Sequence, residues 1–241
     1  MKDNKSSFKK VLILVTILAL PGFLYYLLQE KGKNRYRPLD IYGPKVVAST
    51  FHTKRGVKIP DTIYHRVRNF KLKSHTGDST GIPTDSNQIV IVNFFFTKCK
   101  SFCPEMNNQM ARVVAEFANN KRLKFYSISV DPENDTPRAL DTYAQTFKAD
   151  PKRWNFLTGD KAFIYELAKK DFLVDALVPK GDAEDIVHSP MIILVDPDRK
   201  IRGYYDSTSK DQINKLTDEI KVLITEGLRN STSLKPRKNN E

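Results

Sequence analysis

"IVIVNFFFTKCKSFCP", residues 89–104, is the stretch on which the fold turns. Its first eight residues are apolar except Asn93. An unbroken run of β-branched and aromatic side chains predicts a strand buried on both faces, as in the middle of a layered sheet. Pro104 suits the first turn of a helix, where a missing N–H costs little. Beyond it Met106, Met110, Val113, Val114 and Phe117 recur at helical spacing as far as Asn119. Between strand and helix stand Cys99 and Cys103, the two cysteines of the chain. Their spacing is consistent with a disulfide, a redox pair or two arms of a metal site, and the rest of the sequence has to choose.

Working outward, "LKFYSISV" (123–130) reads as a second buried strand, ended by Asp131-Pro132. Asp135 or Thr136 caps a helix to about Phe147, with Pro137 in its first turn. Residues 154–158 form a short strand in which Trp154 is a packing residue, and Asp160 caps a helix to Lys169. "MIILVD" (191–196) is a further buried strand, and "KIRGYYD" (200–206) is its hairpin partner across the turn Asp196-Pro197-Asp198. Ser209 caps a last amphipathic helix through Ile213, Leu216, Ile220, Leu223 and Ile224. On the N-terminal side, "RVRNFKLK" (66–73) alternates like an exposed strand, and Gly77 and Gly81 mark turns. This order of strands and helices predicts a layered α/β domain. A cysteine pair at the end of the first central strand, entering a helix, is the thioredoxin arrangement in outline.

The chain has 241 residues and a formal charge of +12. Of its 40 Lys/Arg and 28 Asp/Glu, residues 1–75 hold 16 and 4, leaving 24 and 24 for residues 76–241. The excess therefore lies outside the balanced C-terminal two thirds, which argues against a nucleic-acid-binding domain. It flanks instead residues 11–28, "VLILVTILALPGFLYYLL", which carry no charge. That run is at the lower edge of the length needed to cross a bilayer as a helix, and Tyr25 and Tyr26 sit where rings favour the interface. No small-x-small cleavage site follows and no cysteine is present for lipid attachment, so an uncleaved anchor is favoured over a signal peptide. Lysines precede the run and Lys31, Lys33, Arg35 and Arg37 follow it, so charge alone gives no orientation. The expected organisation is a basic segment (1–10), a transmembrane anchor in contact with lipid (11–28), a linker or stalk with some short strand structure (29–60), one domain (61–227) and a disordered tail (228–241). A domain of that size builds its core without help from a disulfide.

If the turn between them is nearly helical, Cys99 and Cys103 face the same side, and the nearby helix N-terminus favours thiolate. Thiolate serves both disulfide exchange and metal ligation. As a soft ligand it suits Cu(I), and an added nitrogen ligand also allows Cu(II). Of the four histidines, His52, His65 and His75 fall in the linker or in early exposed segments. His188 lies in "DIVHSPMIILVD" just before a buried strand, and in a thioredoxin-like fold that loop sits beside the cysteines. It is the histidine with a structural reason to reach both sulfurs, against the plainer reading of a loop residue. Asp131, at a strand end on the same edge, either supports a ligand from behind or starts a turn. Met106 and Met110 have soft sulfur but the spacing of core residues.

Three blocks, "NFFFTKCKSFCPEM", "SISVDPENDTPRALDTYAQTF" and "VHSPMIILVDPDRKIRGYY", resemble the signatures of the Sco/SenC family over roughly residues 60–226. The resemblance implies a thioredoxin-like central sheet flanked by helices, preceded by a membrane anchor helix. It implies copper held by Cys99, Cys103 and His188, and a role as a metallochaperone for the copper-bearing subunit of cytochrome c oxidase. The domain would then be extracytoplasmic, in a bacterial envelope or at a mitochondrial inner membrane. Two alternatives use the same thiols. One is a thiol–disulfide oxidoreductase acting on the oxidase subunit or other envelope proteins, with Cys99 and Cys103 as its catalytic residues; the other is a copper sensor or redox signalling module. Lys100 stands where the family usually has proline, and a cation there stabilises thiolate. Ser189-Pro190 stands where thioredoxins place a cis-proline, so a cis bond is expected at Pro190.

Overall fold

The computed structural model describes residues 4–31, 38–84, 87–174 and 189–233. The chain divides into two compact units, Met1–Arg37 and Pro38–Glu241. The first is one helix, α1 (Asn4–Lys31), with Pro21 inside it. Its described apolar side chains, among them Ile13, Leu18, Phe23 and Tyr26, are exposed. Among the described residues no helix is long and apolar enough to cross a membrane. The described side chains of the apolar run, 13–26, cover about 20 Å at 1.5 Å per residue, against roughly 30 Å of hydrocarbon.

In the second unit the apolar run at 89 forms β5 (Ile89–Phe95), buried along its whole length. It pairs in parallel with β6 (Leu123–Ser129) and antiparallel with β8 (Met191–Val195). β7 (Trp154–Thr158) extends the sheet in parallel beyond β6, and β9 (Ile201–Asp206) closes the hairpin with β8. Two short strands, β3 (Leu72–Ser74) and β4 (Ser79–Thr80), complete a seven-stranded sheet of order β4-β3-β7-β6-β5-β8-β9. Alternation along β5 divides the core in two. Ile89, Ile91 and Phe95 pack on one face with Met106, Met110 and Val113 of α2 (Cys103–Glu116) and with Ile213, Leu216 and Ile220 of α5 (Lys210–Ser233). Val90, Val92 and Phe94 pack on the other with Phe70, Phe172 and Ile164 of α4 (Lys161–Glu166). Each of these side chains contributes roughly 1.5–3 kcal/mol on full burial. α3 (Pro137–Thr146) lies between β6 and β7 in the chain and buries Leu140 and Ala144.

Several expectations are corrected. Residues 66–73 are not one strand, since only Leu72–Ser74 pairs. Arg68 instead turns to Asp171, donating its backbone N–H (2.9 Å) and its Nε (2.6 Å) to that carboxylate. The expected helix to Lys169 stops at Glu166 and widens into a π-turn, Leu167–Asp171, which delivers Phe172 and Val174 to the core. The short strand structure expected in the segment 29–60 is a full hairpin whose second strand runs past it to Tyr64. β1 (Lys45–Lys54) and β2 (Val57–Tyr64) form an antiparallel hairpin. Its turn, Arg55-Gly56, has φ of 52° and 80°, the left-handed pair that a two-residue hairpin requires. The usual Asn-Gly signal is absent, so the turn is hidden in a basic stretch. The C-terminal helix also runs on to Ser233, past the expected end of the domain; residues 234–241 lie outside the described part. No cis peptide occurs among the described residues, so the Ser189–Pro190 bond is trans.

Arg202 fastens the start of this unit to its end. It is buried, pairs with Asp196 (2.9 Å) and Glu226 (3.2 Å), and donates to the carbonyls of Leu39 (2.8 Å) and Asp40 (3.2 Å).

Candidate metal and redox site

β5 ends at Phe95, and the chain turns so that the Cys99 N–H donates to the Phe96 carbonyl at 3.2 Å. Four residues on, Cys103 opens α2 with Pro104 behind it. The residue before the helix, Phe102, supplies no side-chain cap. The first amides of the helix are thus free to meet sulfur, and backbone groups of Ser101 and Cys103 hydrogen-bond to Cys99. Both thiols are free and buried, Cys103 completely and Cys99 at 7 % exposure, and the two side chains hydrogen-bond to one another. Ser101 Oγ lies 3.3 Å from Cys99 Sγ. Lys100 is exposed.

The two sulfurs differ in acidity. Burial pushes the Cys99 thiol up, but hydrogen bonds from the Cys103 and Ser101 side chains and backbone outweigh it and leave the thiol more acidic than usual. Burial pushes Cys103 strongly up, and its position as donor to Cys99 and the nearby charges of Cys99 and Asp135 add to that. The outer thiol is therefore the more acidic of the two and the more readily ionised. With limiting iodoacetamide, Cys99 is carboxamidomethylated first, and its labelling half-point falls at lower pH than that of a free cysteine. Cys103 labels only at higher pH or after unfolding. Peptide mass mapping across a pH series checks this; equal labelling of the two would contradict it.

The cysteine loop is held from behind by Asp135, which is completely buried. Its carboxylate accepts from the Thr97 N–H (3.0 Å), Thr97 Oγ1 (2.5 Å) and Ser129 Oγ (2.5 Å). Sequence reasoning offers it only as a helix cap, and the cap proves to be Thr136, whose Oγ1 accepts from the Ala139 N–H. Asp131 lies in the turn after β6. Its carboxylate accepts from Asn134 Nδ2 at 3.0 and 2.9 Å, and Asn134 Oδ1 accepts from Lys98 Nζ at 2.7 Å. Asp131 thus ties the turn after β6 to the cysteine loop through Asn134 and Lys98.

Beneath the sulfurs runs a buried polar row. Asn107, one helical turn after Cys103, accepts from Asn93 Nδ2 (2.9 Å) and Ser127 Oγ (3.3 Å) and donates to the Tyr143 hydroxyl (3.2 Å). Ser127 Oγ accepts in turn from Trp154 Nε1 (2.9 Å). Burial pushes the Tyr143 hydroxyl up to about 12; the Asn107 hydrogen bond opposes this, while the charges of Cys103, Cys99 and Asp135 add to it. The row's one signal in the sequence is Asn93, the polar interruption of an apolar strand. Met106 and Met110 are core residues, fully buried.

His188 lies outside the described residues, in the segment 175–188; the chain resumes at the buried Ser189, and the Pro190 carbonyl accepts from the Ser207 N–H at 2.9 Å. The other three histidines are engaged elsewhere. His52 Nδ1 is 2.7 Å from Asp61, His65 Nε2 is 2.7 Å from the Asp171 carbonyl, and the buried His75 accepts from the Phe156 N–H at 3.2 Å. Among the described residues no three His, Cys, Asp or Glu side chains gather as a metal site. The described part of the site is a pair of sulfur donors, one of them acidic, which is the donor chemistry that a soft metal ion fits.

Residues 62–225 match the SCO1/SenC family. The chain is 30 % identical over 173 residues to the SCO1 protein homolog of Bacillus subtilis, covering 70 % of this chain and 89 % of that one. It is also 30 % identical over 165 residues to the mitochondrial protein SCO1 homolog of Homo sapiens, covering 66 % of this chain but about half, 52 %, of that one. Among solved structures, a SCO1/SenC family lipoprotein from Bacillus anthracis has 27 % identity and a TM-score of 0.58, covering 66 % of this chain and 95 % of that one. BsSco, described as a Sco-family cytochrome c oxidase assembly protein with a disulfide switch, has 28 % identity and a TM-score of 0.57, over 67 % and 94 %. ScoI of Arabidopsis thaliana with copper bound has 25 % identity and a TM-score of 0.51, over 68 % and 98 %. The mixed sheet with helices on both faces is the fold these proteins share.

Proposed function

Because the chain belongs to the SCO1/SenC family, we propose that it is a copper chaperone, binding copper through Cys99, Cys103 and His188 and delivering it to the copper-bearing subunit of cytochrome c oxidase. One observation carries the reading: two free, buried thiols, hydrogen-bonded to one another, meet at the junction of β5 and α2. Copper is the cargo. Cys99, the more acidic thiol, and Cys103 each give up a proton as metal replaces it, and the His188 imidazole supplies the nitrogen that makes both copper oxidation states tolerable. The copper-bound ScoI structure supports the choice of metal. Asp135 and the Asn107 row fix the sulfurs from behind, so that transfer proceeds by exchange of ligands at the outer edge. Residues 11–28 of α1 are the membrane anchor, with residues 1–10 as its basic flank, and the unit from Pro38 onward works on the extracytoplasmic side.

A second reading is favoured by the same asymmetry. Cys99 attacks a disulfide and Cys103 resolves it, so that the pair gives up two electrons and two protons and the partner's cysteines take them. BsSco, with its disulfide switch, supports this use. His188 separates the two. Titration of the reduced protein saturates near one copper per chain, and His188→Ala lowers the affinity by at least the roughly 10–100-fold that outer partners of a metal site command. Unchanged affinity with retained disulfide-reducing activity would favour the redox role.

A further inference from the structure

The hairpin of β1 and β2 presents apolar side chains that nothing described covers. Residues opposed across a hairpin share a face, and neighbours along a strand alternate. The pairs Val46–Ile63, His52–Ile59 and Lys54–Val57 therefore place Val46, Val57, Ile59 and Ile63 together. Their exposures are 60, 63, 37 and 58 %. Lys54 shares their face and Arg55 stands at the turn beside them, and neither forms an ion pair among the described residues. The hairpin's one acid, Asp61, is taken by His52 at 2.7 Å.

We propose that this face of the hairpin rests on the surface of an anionic bilayer, with Val46, Val57, Ile59 and Ile63 at the headgroup–acyl boundary and Lys54 and Arg55 on lipid phosphates and carboxylates. Two features select lipid as the occupant. Aliphatic side chains beside two cations that lack acidic partners, with the face's one acid already paired to His52, match an anionic interface, where each nearby Lys or Arg adds attraction. The covalent link gives reach. Residues 32–37 separate α1 from the unit that holds the hairpin, a tether of at most about 20 Å. Leu39 and Asp40 beyond it are fixed by Arg202, and Tyr42 pairs with Ile201. The proposal rests on the reading of α1 as a membrane anchor and deepens it: the domain is held to the bilayer at two places instead of swinging on a tether.

The test uses the full chain carrying Ile59→Trp, with Val46→Trp as a second reporter on the same face, reconstituted into vesicles. The native Trp154 is completely inside the fold and supplies the background. In phosphatidylserine-containing vesicles the indole introduced by Ile59→Trp shifts to the blue, loses most of its emission to brominated acyl chains and is shielded from aqueous iodide. Adding Lys54→Glu and Arg55→Glu restores quenching by iodide and removes quenching by lipid. Should the chain float with the vesicles while both reporters stay open to iodide and blind to brominated lipid, the hairpin proposal is wrong and the anchor reading stands. Failure to float at all overturns both. Shielding that follows protein density in neutral detergent, together with cross-linking between copies, would make a second chain the occupant and overturn the lipid assignment.

Discussion

Serine in place of Cys99 or Cys103 lowers copper affinity by more than about 100-fold, above the 10–100-fold typical of losing an outer partner of a metal site. A hydroxyl is a hard, neutral donor of nearly the same size, so the substitution removes soft-ligand character while leaving the shape of the turn. The two variants differ in their side effects. Cys99→Ser gives Cys103 a hydroxyl in place of the sulfur to which it donates, at a place with 7 % exposure, and the fold tolerates it. Cys103→Ser puts a hydroxyl at a completely buried position on the first residue of α2, next to the Phe96 backbone group that bonds the native sulfur. Isothermal titration of both reduced variants, with circular dichroism to confirm the fold, checks the expectation. Copper bound as tightly by either variant as by the parent would remove the sulfur pair from the site.

Asp135→Ala destabilises the domain by about 3–5 kcal/mol, because three donors lose their acceptor at once and a buried, unsatisfied polar group costs roughly 1–3 kcal/mol. Asp135 and Ser129 have 0 % exposure and Thr97 is half-buried, so water replaces the lost carboxylate poorly. The change also frees the segment between β5 and Cys99, so copper affinity drops along with stability. The fall in urea midpoint at constant slope measures the first effect, and titration of the folded fraction measures the second. Asp135→Asn, which keeps an acceptor oxygen, costs less on both scales. A shift within about 0.5 kcal/mol for alanine, the range of an ordinary surface substitution, would mean that the loop is held by something else.

How far the sequence alone can be read follows from where its signals are strong. The strands at 89, 123, 154 and 191 are legible because a strand buried on both faces leaves no choice of side chain. The helix after Pro104 is legible because its apolar spacing is regular over more than three turns. The hairpin escapes because its turn is Arg55-Gly56 and its strands carry lysines among exposed valines, a pattern that composition assigns to a linker. The start of α4 is legible from Asp160, but nothing local announces that the helix widens at Leu167; tertiary contacts of Asp171 with Arg68 and His65 decide that. At the site, the cysteines are plain from their isolation in the chain. Asp135 reads as a cap because a carboxylate before a helix usually is one, and its true partners lie in the loop from Thr97 and in β6, out of reach of any local rule. Asn93 stands out as an interruption, but its meaning needs Asn107 and Tyr143, one on each of two helices.

The clasp made by Arg202 has a consequence for how the protein is made. β5 is flanked on one side by β8, which begins about a hundred residues later, and Arg202 in β9 reaches back to Leu39 and forward to Glu226. Neither the central sheet nor the seam between its first and last segments closes until almost the entire polypeptide has been synthesised. Contacts of such long sequence separation form late and slowly. A nascent chain thus carries Cys99 and Cys103 beside a strand that lacks one of its two neighbours until β8 and β9 have been made.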